Sequence, residues 1–101
     1  MASDRIVKIE IDDRGRLCVT PDSFAFEHIY RAAMEVHWDN DDRFLYSPKP
    51  REWSYEQWFG QIVDAAKDEY GCDLRITPET LWENVSSEIK EKLLHLGVTR
   101  G

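Results

Sequence analysis

The side chains of this chain that could hold a metal or move a proton are three His, two Cys and twenty Asp plus Glu, and their spacing limits what they can do. His28, His37 and His95 include no pair four apart, so no two imidazoles share a helix face as zinc sites on helices require. His37-x-Asp39 is the only suggestive pair: on a strand both side chains face one way, and Asp41 or Asp42 could approach across the following turn as hard oxygen ligands. The plainer reading of Asp39-Asn40-Asp41-Asp42 is a solvated turn whose side chains satisfy their own backbone, and the run lacks the glycine and distant glutamate of a calcium loop. No metal and no cofactor are therefore expected. Cys18 and Cys72 stand in apolar segments with no His beside them and read as reduced thiols. Glycines 15, 60, 71, 97 and 101 are scattered, which excludes a phosphate-cradling loop, and no Gly-x-Ser-x-Gly elbow occurs. Glu35 and Glu52, each beside aromatics, are the best acid-base candidates, but so many carboxylates single out no pair, and no enzyme is expected.

Charge narrows the partners. With 13 Lys plus Arg against 20 Asp plus Glu, the 101-residue chain carries −7, the wrong sign for nucleic acid and the right one for a basic protein surface. An acidic immunity or antitoxin protein is the most concrete form of a protein-interaction module, the function expected of this chain. No apolar run approaches the roughly 18 residues of a membrane span, and Met1-Ala2-Ser3-Asp4-Arg5 is no secretory leader, so the expected location is the cytoplasm. At 42% hydrophobic and 33% charged residues, the composition is that of one soluble domain over residues 1–101, with 1–4 and 98–101 as flexible ends.

Positioning these groups falls to an α+β fold, a small antiparallel sheet packed with two to three helices. Ile6-Val7-Lys8-Ile9-Glu10-Ile11 alternates as a strand, Asp12-Asp13-Arg14-Gly15 turns, and Leu17-Cys18-Val19 returns as its hairpin partner. Thr20-Pro21-Asp22 is a helix-start signal, and Phe26, Ile29, Tyr30 and Ala33 supply a helical stripe ending near Met34. Val36 and Trp38, then Phe44 and Tyr46, alternate around the acidic turn as a second hairpin. Ser47-Pro48-Lys49-Pro50-Arg51-Glu52 is a stiff connector.

Ser54 with Gln57 makes a capping box for the strongest helical stripe, Tyr55, Trp58, Phe59, Ile62, Val63, Ala66 and Tyr70, which Gly71 stops; Gly60 has no place on that stripe. Leu74 and Ile76 form a short strand ended by a second turn or helix start, Thr77-Pro78-Glu79, and a last helix runs from Ser87 to Leu96 with Gly97 as its stop. The two Thr-Pro-acid segments echo each other as strands entering a cap, chemistry that independent helix starts share.

The densest unusual chemistry is aromatic. Trp38, Phe44, Tyr46, Trp53, Tyr55, Trp58 and Phe59 bunch around the connector, more than one face of a small core absorbs. Trp38, Tyr46, Pro48, Lys49, Pro50, Arg51 and Trp53 are therefore the candidate interaction surface, for a second copy of the chain or for a partner protein. The alternative is a small-molecule pocket, with simple acid-base chemistry, formed by His37, Trp38, Asp39 and Tyr46.

Ala33-Met34-Glu35-Val36-His37-Trp38-Asp39, Leu45 to Ser54 and Trp58-Phe59 carry a resemblance to small bacterial proteins of unknown function that include products of integron gene cassettes. The resemblance runs from Ile6 to about Leu96 and implies a bacterial, cytoplasmic, compact α+β domain. It supplies no substrate, cofactor, partner or site residue.

Overall fold

A computed structural model describes residues 2–33, 35–49 and 53–100, with side chains up to Leu96. Ala2–Ile11 (β1) and Leu17–Pro21 (β2) form the expected antiparallel hairpin, with Ile9 opposite Val19 and Ile11 opposite Leu17. Its turn is closed by Asp12, whose carboxylate accepts the Arg14 and Arg16 amides at 3.0 and 2.8 Å and the Arg16 Nε at 2.7 Å. Gly15, at φ +80°, occupies the left-handed position that this turn requires. His37–Asp39 (β3) and Phe44–Tyr46 (β4) form the second hairpin, and the Asp39 carboxylate accepts the Asp41 and Asp42 amides, each at 3.0 Å, which makes the acidic run the self-satisfied turn its composition suggested.

Tyr55–Tyr70 (α1) starts at the capping box of Ser54 and Gln57 and ends at Gly71, φ +61°, as its sequence dictates. Cys72–Glu83 (β5) follows, and Ser87–Arg100 (α2) closes the chain, running past Gly97, which was expected to stop it. The five strands are ordered β3-β4-β2-β1-β5. The α+β class holds, but the sheet is mixed: β5 joins β1 in parallel, Ile6 beside Ile76, where an antiparallel sheet was expected. Ala2 to Asp4, expected as a loose end, pair with Cys72 to Leu74.

Both helices pack on one side of the sheet. Ile6, Ile9, Leu17, Val19 and Leu45 meet Phe59, Ile62 and Ala66 of α1 and Leu93 of α2, all at most 1% exposed. Gly60, unplaced by the stripe, is buried with them.

Two further expectations fail, both at Thr-Pro. No helix follows Thr20-Pro21: β2 runs through the buried Pro21, and the only helical piece among the described residues before β3 is one 3-10 turn, Ile29–Arg31. The competing interactions are specific. The Asp22 amide donates to the Arg5 carbonyl at 3.0 Å, and the Asp4 carboxylate accepts the Ser23 and Phe24 amides at 2.9 and 2.8 Å, so sheet and side chain take the donors that a helix start would present. Phe24 and Phe26 then both meet Tyr70 of α1 edge to face, and the Tyr70 hydroxyl accepts the His28 amide at 2.7 Å. Aromatic packing between segments far apart in sequence overrides a local helical period. Met34, the expected helix end, lies outside the described residues.

Thr77-Pro78-Glu79 likewise does not end its strand. Beside β1 the register jumps from Ile6/Ile76 to Lys8/Leu81, a bulge held by Thr80, whose hydroxyl donates to the Ile6 carbonyl at 2.6 Å and accepts the Thr77 amide at 3.0 Å. Pro78 is tolerated because it sits in that bulge on an edge strand.

Candidate functional site

Strand register sorts the second hairpin between the two sides of the sheet. One row of paired residues, Trp38, Leu45, Val19, Ile9 and Trp82, faces the helices. The next row, His37, Tyr46, Cys18, Glu10 and Glu83, faces away from them. Asp39 and Phe44 on the outer hairpin, with Thr20, Lys8 and Leu81, continue this outer face. It holds a half-open recess of about 460 Å³ lined by Val7, Lys8, Glu10, Cys18, Thr20, Asp42, Phe44 and Leu81, every one a strand or turn residue.

The expected surface is therefore split. Tyr46 lies on the outer face, between the His37 ring at 5.3 Å and the Arg16 guanidinium at 4.8 Å. Trp38 lies on the other side, half-buried against Phe26 at 5.9 Å with Arg43 over its ring. Trp53 is 42% exposed and rests on Trp58 at 4.8 Å, at the foot of α1. Pro48 is half-buried and Lys49 exposed, its stem lying 3.0 Å from where a Cβ on Gly15 would sit; Pro50 and Arg51, like Glu52, lie outside the described residues. Of the alternative pocket, the structure brings His37, Asp39 and Tyr46 to one face and sends Trp38 to the other. Sequence reading missed Val7, Lys8, Glu10, Cys18, Thr20 and Leu81 as lining residues; the period-two alternation of Lys8, Glu10, Cys18 and Thr20 against Ile9, Leu17 and Val19 was the available signal.

The outer face carries alternating charge with an acidic excess. Lys8 lies between Glu10 at 3.5 Å and Glu83 at 3.6 Å, Arg16 is held by Asp12, and Asp42 lines the recess with no counter-charge among its other lining residues but Lys8. Burial acts to raise the Asp12 carboxyl, but the hydrogen bonds from the Arg16 amide and guanidinium and the Arg14 amide outweigh it and hold the group below its ordinary value. Burial, reinforced by Asp12, pushes the Cys18 thiol up to about 12, and burial pushes Cys72 up to about 11. Both cysteines are free and buried. They are protonated and poorly nucleophilic at neutral pH, as expected of packing thiols. Among the described residues no group of three or more His, Cys, Asp or Glu is placed to hold a metal, and no helix is long and apolar enough to cross a membrane.

Fold and face together define a two-layer α+β domain with helices on one side of its sheet and a bare, aromatic, acidic surface on the other. A family model described as Integron Cassette Protein Hfx_Cass5 matches residues 4–80, and the chain belongs to that family. It is also similar to a solved structure described as "Structure from the mobile metagenome of North West Arm Sewage Outfall: Integron Cassette Protein Hfx_Cass5", at 46% identity over 97% of this chain and 98% of that one, with a TM-score of 0.48. No curated protein matches the chain.

Proposed function

We propose that this protein is a docking module without chemistry of its own, and that its working surface is the outer face of the sheet, which receives a basic segment of a partner protein. One observation carries the reading: Phe44, Tyr46, Val7 and Leu81 stand on a sheet face that neither α1 nor α2 covers, Leu81 at 60% exposure. Antiparallel sheets normally present polar side chains to water on such a face. Glu10, Glu83, Asp39 and Asp42 around these apolar groups supply the charge that a Lys- or Arg-bearing partner meets. The two buried free thiols suit work in the cytoplasm. A small-molecule reading has one observation in its favour, the recess, whose volume of about 460 Å³ falls among those of ligand pockets.

The test is amide chemical-shift mapping with a short peptide alternating lysine and phenylalanine, beside a control alternating glutamate and phenylalanine. Saturable shifts at Val7, Cys18, Thr20 and Leu81 with the basic peptide alone support the reading. Shifts confined to α1 and α2, equal shifts with both peptides, or none up to about 1 mM, a binding energy of only some 4 kcal/mol, overturn it.

A further inference from the structure

The sheet has two edges, and they are treated differently. β3 spans only His37–Asp39, too short to template another strand. β5 spans Cys72–Glu83, and its far half is blunted by Pro78 and the bulge. The near half, Cys72–Ile76, has no such protection.

Its unpaired groups can be assigned. The Ala2 amide donates to the Gly71 carbonyl at 3.0 Å while Ala2 stands opposite Cys72, so the β5 groups turned toward β1 belong to Gly71, Asp73 and Arg75. Arg5 confirms the phase, because its carbonyl points the other way, to Asp22. The amides and carbonyls of Cys72, Leu74 and Ile76 therefore point outward, away from the sheet.

We infer that two copies of this chain pair antiparallel along Cys72–Ile76, about a two-fold axis at Leu74, and join their sheets edge to edge. In this register Leu74 faces Leu74 of the second copy and Cys72 faces Ile76, each as a hydrogen-bonded pair built from the outward groups just assigned. Asp73 then stands opposite Arg75 of the second copy twice over, at the close non-hydrogen-bonded positions. Within one copy Asp73 and Arg75 already touch at 2.6 Å, so the axis assembles four charges of alternating sign. The neighbouring registers fail: an axis at Asp73 sets Asp73 against itself, and one at Arg75 sets Arg75 against itself. Cys72 and Leu74 are already buried in one copy, so the contact rests on the backbone hydrogen bonds and the Asp73–Arg75 charges. This interface uses neither the residues nor the chemistry of the outer-face docking proposal, and each can fail alone.

The register dictates the experiment. Asp73→Arg leaves Arg against Arg across the axis, and Arg75→Asp leaves Asp against Asp, so each variant runs as a monomer in light scattering after size exclusion at about 100 μM, with at least about tenfold weaker association than wild type. Mixed in equal amounts, the two variants form a heterodimer, because one copy then presents only arginine and the other only aspartate at these two positions, and both pairs across the axis are of opposite sign. Circular dichroism confirms that each variant is folded. A monomeric wild type, variants that dimerise as well as wild type, or a mixture that stays monomeric overturns the inference. Hydrogen exchange gives a second reading on the unaltered protein: the Cys72, Leu74 and Ile76 amides are protected only in the dimer, whereas Asp73 and Arg75 are protected in either state. Free exchange of the first three at dimer-forming concentration also overturns it.

Discussion

The two sides of the sheet are built from the same strands, one residue out of phase. On the helix side, alternate positions hold Ile9, Leu17, Val19 and Leu45 at zero exposure, locked under α1 and α2. On the outer side the intervening positions hold Lys8, Glu10, Cys18, Thr20, Phe44 and Tyr46, with ion pairs and a cation-aromatic contact in place of a second layer. Stability belongs to the first side. The second is free to be specified by something else, and its aromatics and acidic charge are what remain to be explained once folding is accounted for.

The contrast can be broken where it is sharpest. Ile62→Ala removes a fully buried α1 side chain and should cost about 2–5 kcal/mol in chemical denaturation. A near-neutral result would mean that α1 does not seal the core. Thr80→Val comes next. It deletes both hydrogen bonds of the bulge inside a buried site, and a loss of about 1–3 kcal/mol is expected, with faster exchange of the Thr77 amide. Ser54→Ala removes the hydroxyl half of the capping box and should cost about 1 kcal/mol. On the outer side, Leu81→Ser should change stability by no more than about 0.5 kcal/mol, while Phe44→Ala weakens binding of the basic peptide. A large stability loss at Leu81 would show that this face is covered after all.

Acidity and alkalinity sharpen the same comparison. The Asp12 carboxyl is held below its ordinary value of 3.8 in the folded chain, so its contribution to the β1–β2 turn is present above that value and lost as the pH falls through the folded one. Asp12→Asn should flatten stability against pH below about 4. Cys18 and Cys72 are raised from 9.0 to about 12 and about 11, so the folded chain keeps protons that the unfolded chain gives up. Stability should fall as pH rises above 9.0, and Cys18→Ser and Cys72→Ser should each reduce that slope in thermal melts. At about pH 8 a thiol reagent should label neither cysteine until the protein is unfolded.

What was legible in the sequence was local. The capping box at Ser54, the stop at Gly71 and the acidic hairpin turn are short-range chemistry and stand as read. The first hairpin and the face of α1 follow from periodicity. What was not legible depends on distant partners. Nothing around Thr20-Pro21 announces that Asp4 will take the amides that follow it, and nothing around Thr77-Pro78 announces that Thr80 will reach the Ile6 carbonyl. The candidate surface suffered in the same way. Trp38 and Tyr46 look equivalent as aromatics beside a turn, but pairing sets Trp38 beside Leu45 and His37 beside Tyr46, so the period of two sends them to opposite sides. Trp53, expected either to stack on proline or to stand exposed, is 42% exposed, with its ring resting on Trp58.

The parallel partnership of β1 and β5 also governs how the molecule comes into being. β1 leaves the ribosome well before β5, its neighbour on one side, and Ile6 waits for Ile76. Contacts so far apart in sequence are entropically slow to close, so folding of this domain should be completed only after β5 has been released, on the slow side for a domain of this length. During that interval the open flank of β1 is a bare strand edge offering its amides to any similar chain nearby. A late or truncated β5 would leave that flank exposed, and the resulting fault would be aggregation through the first strand, far from the missing residues.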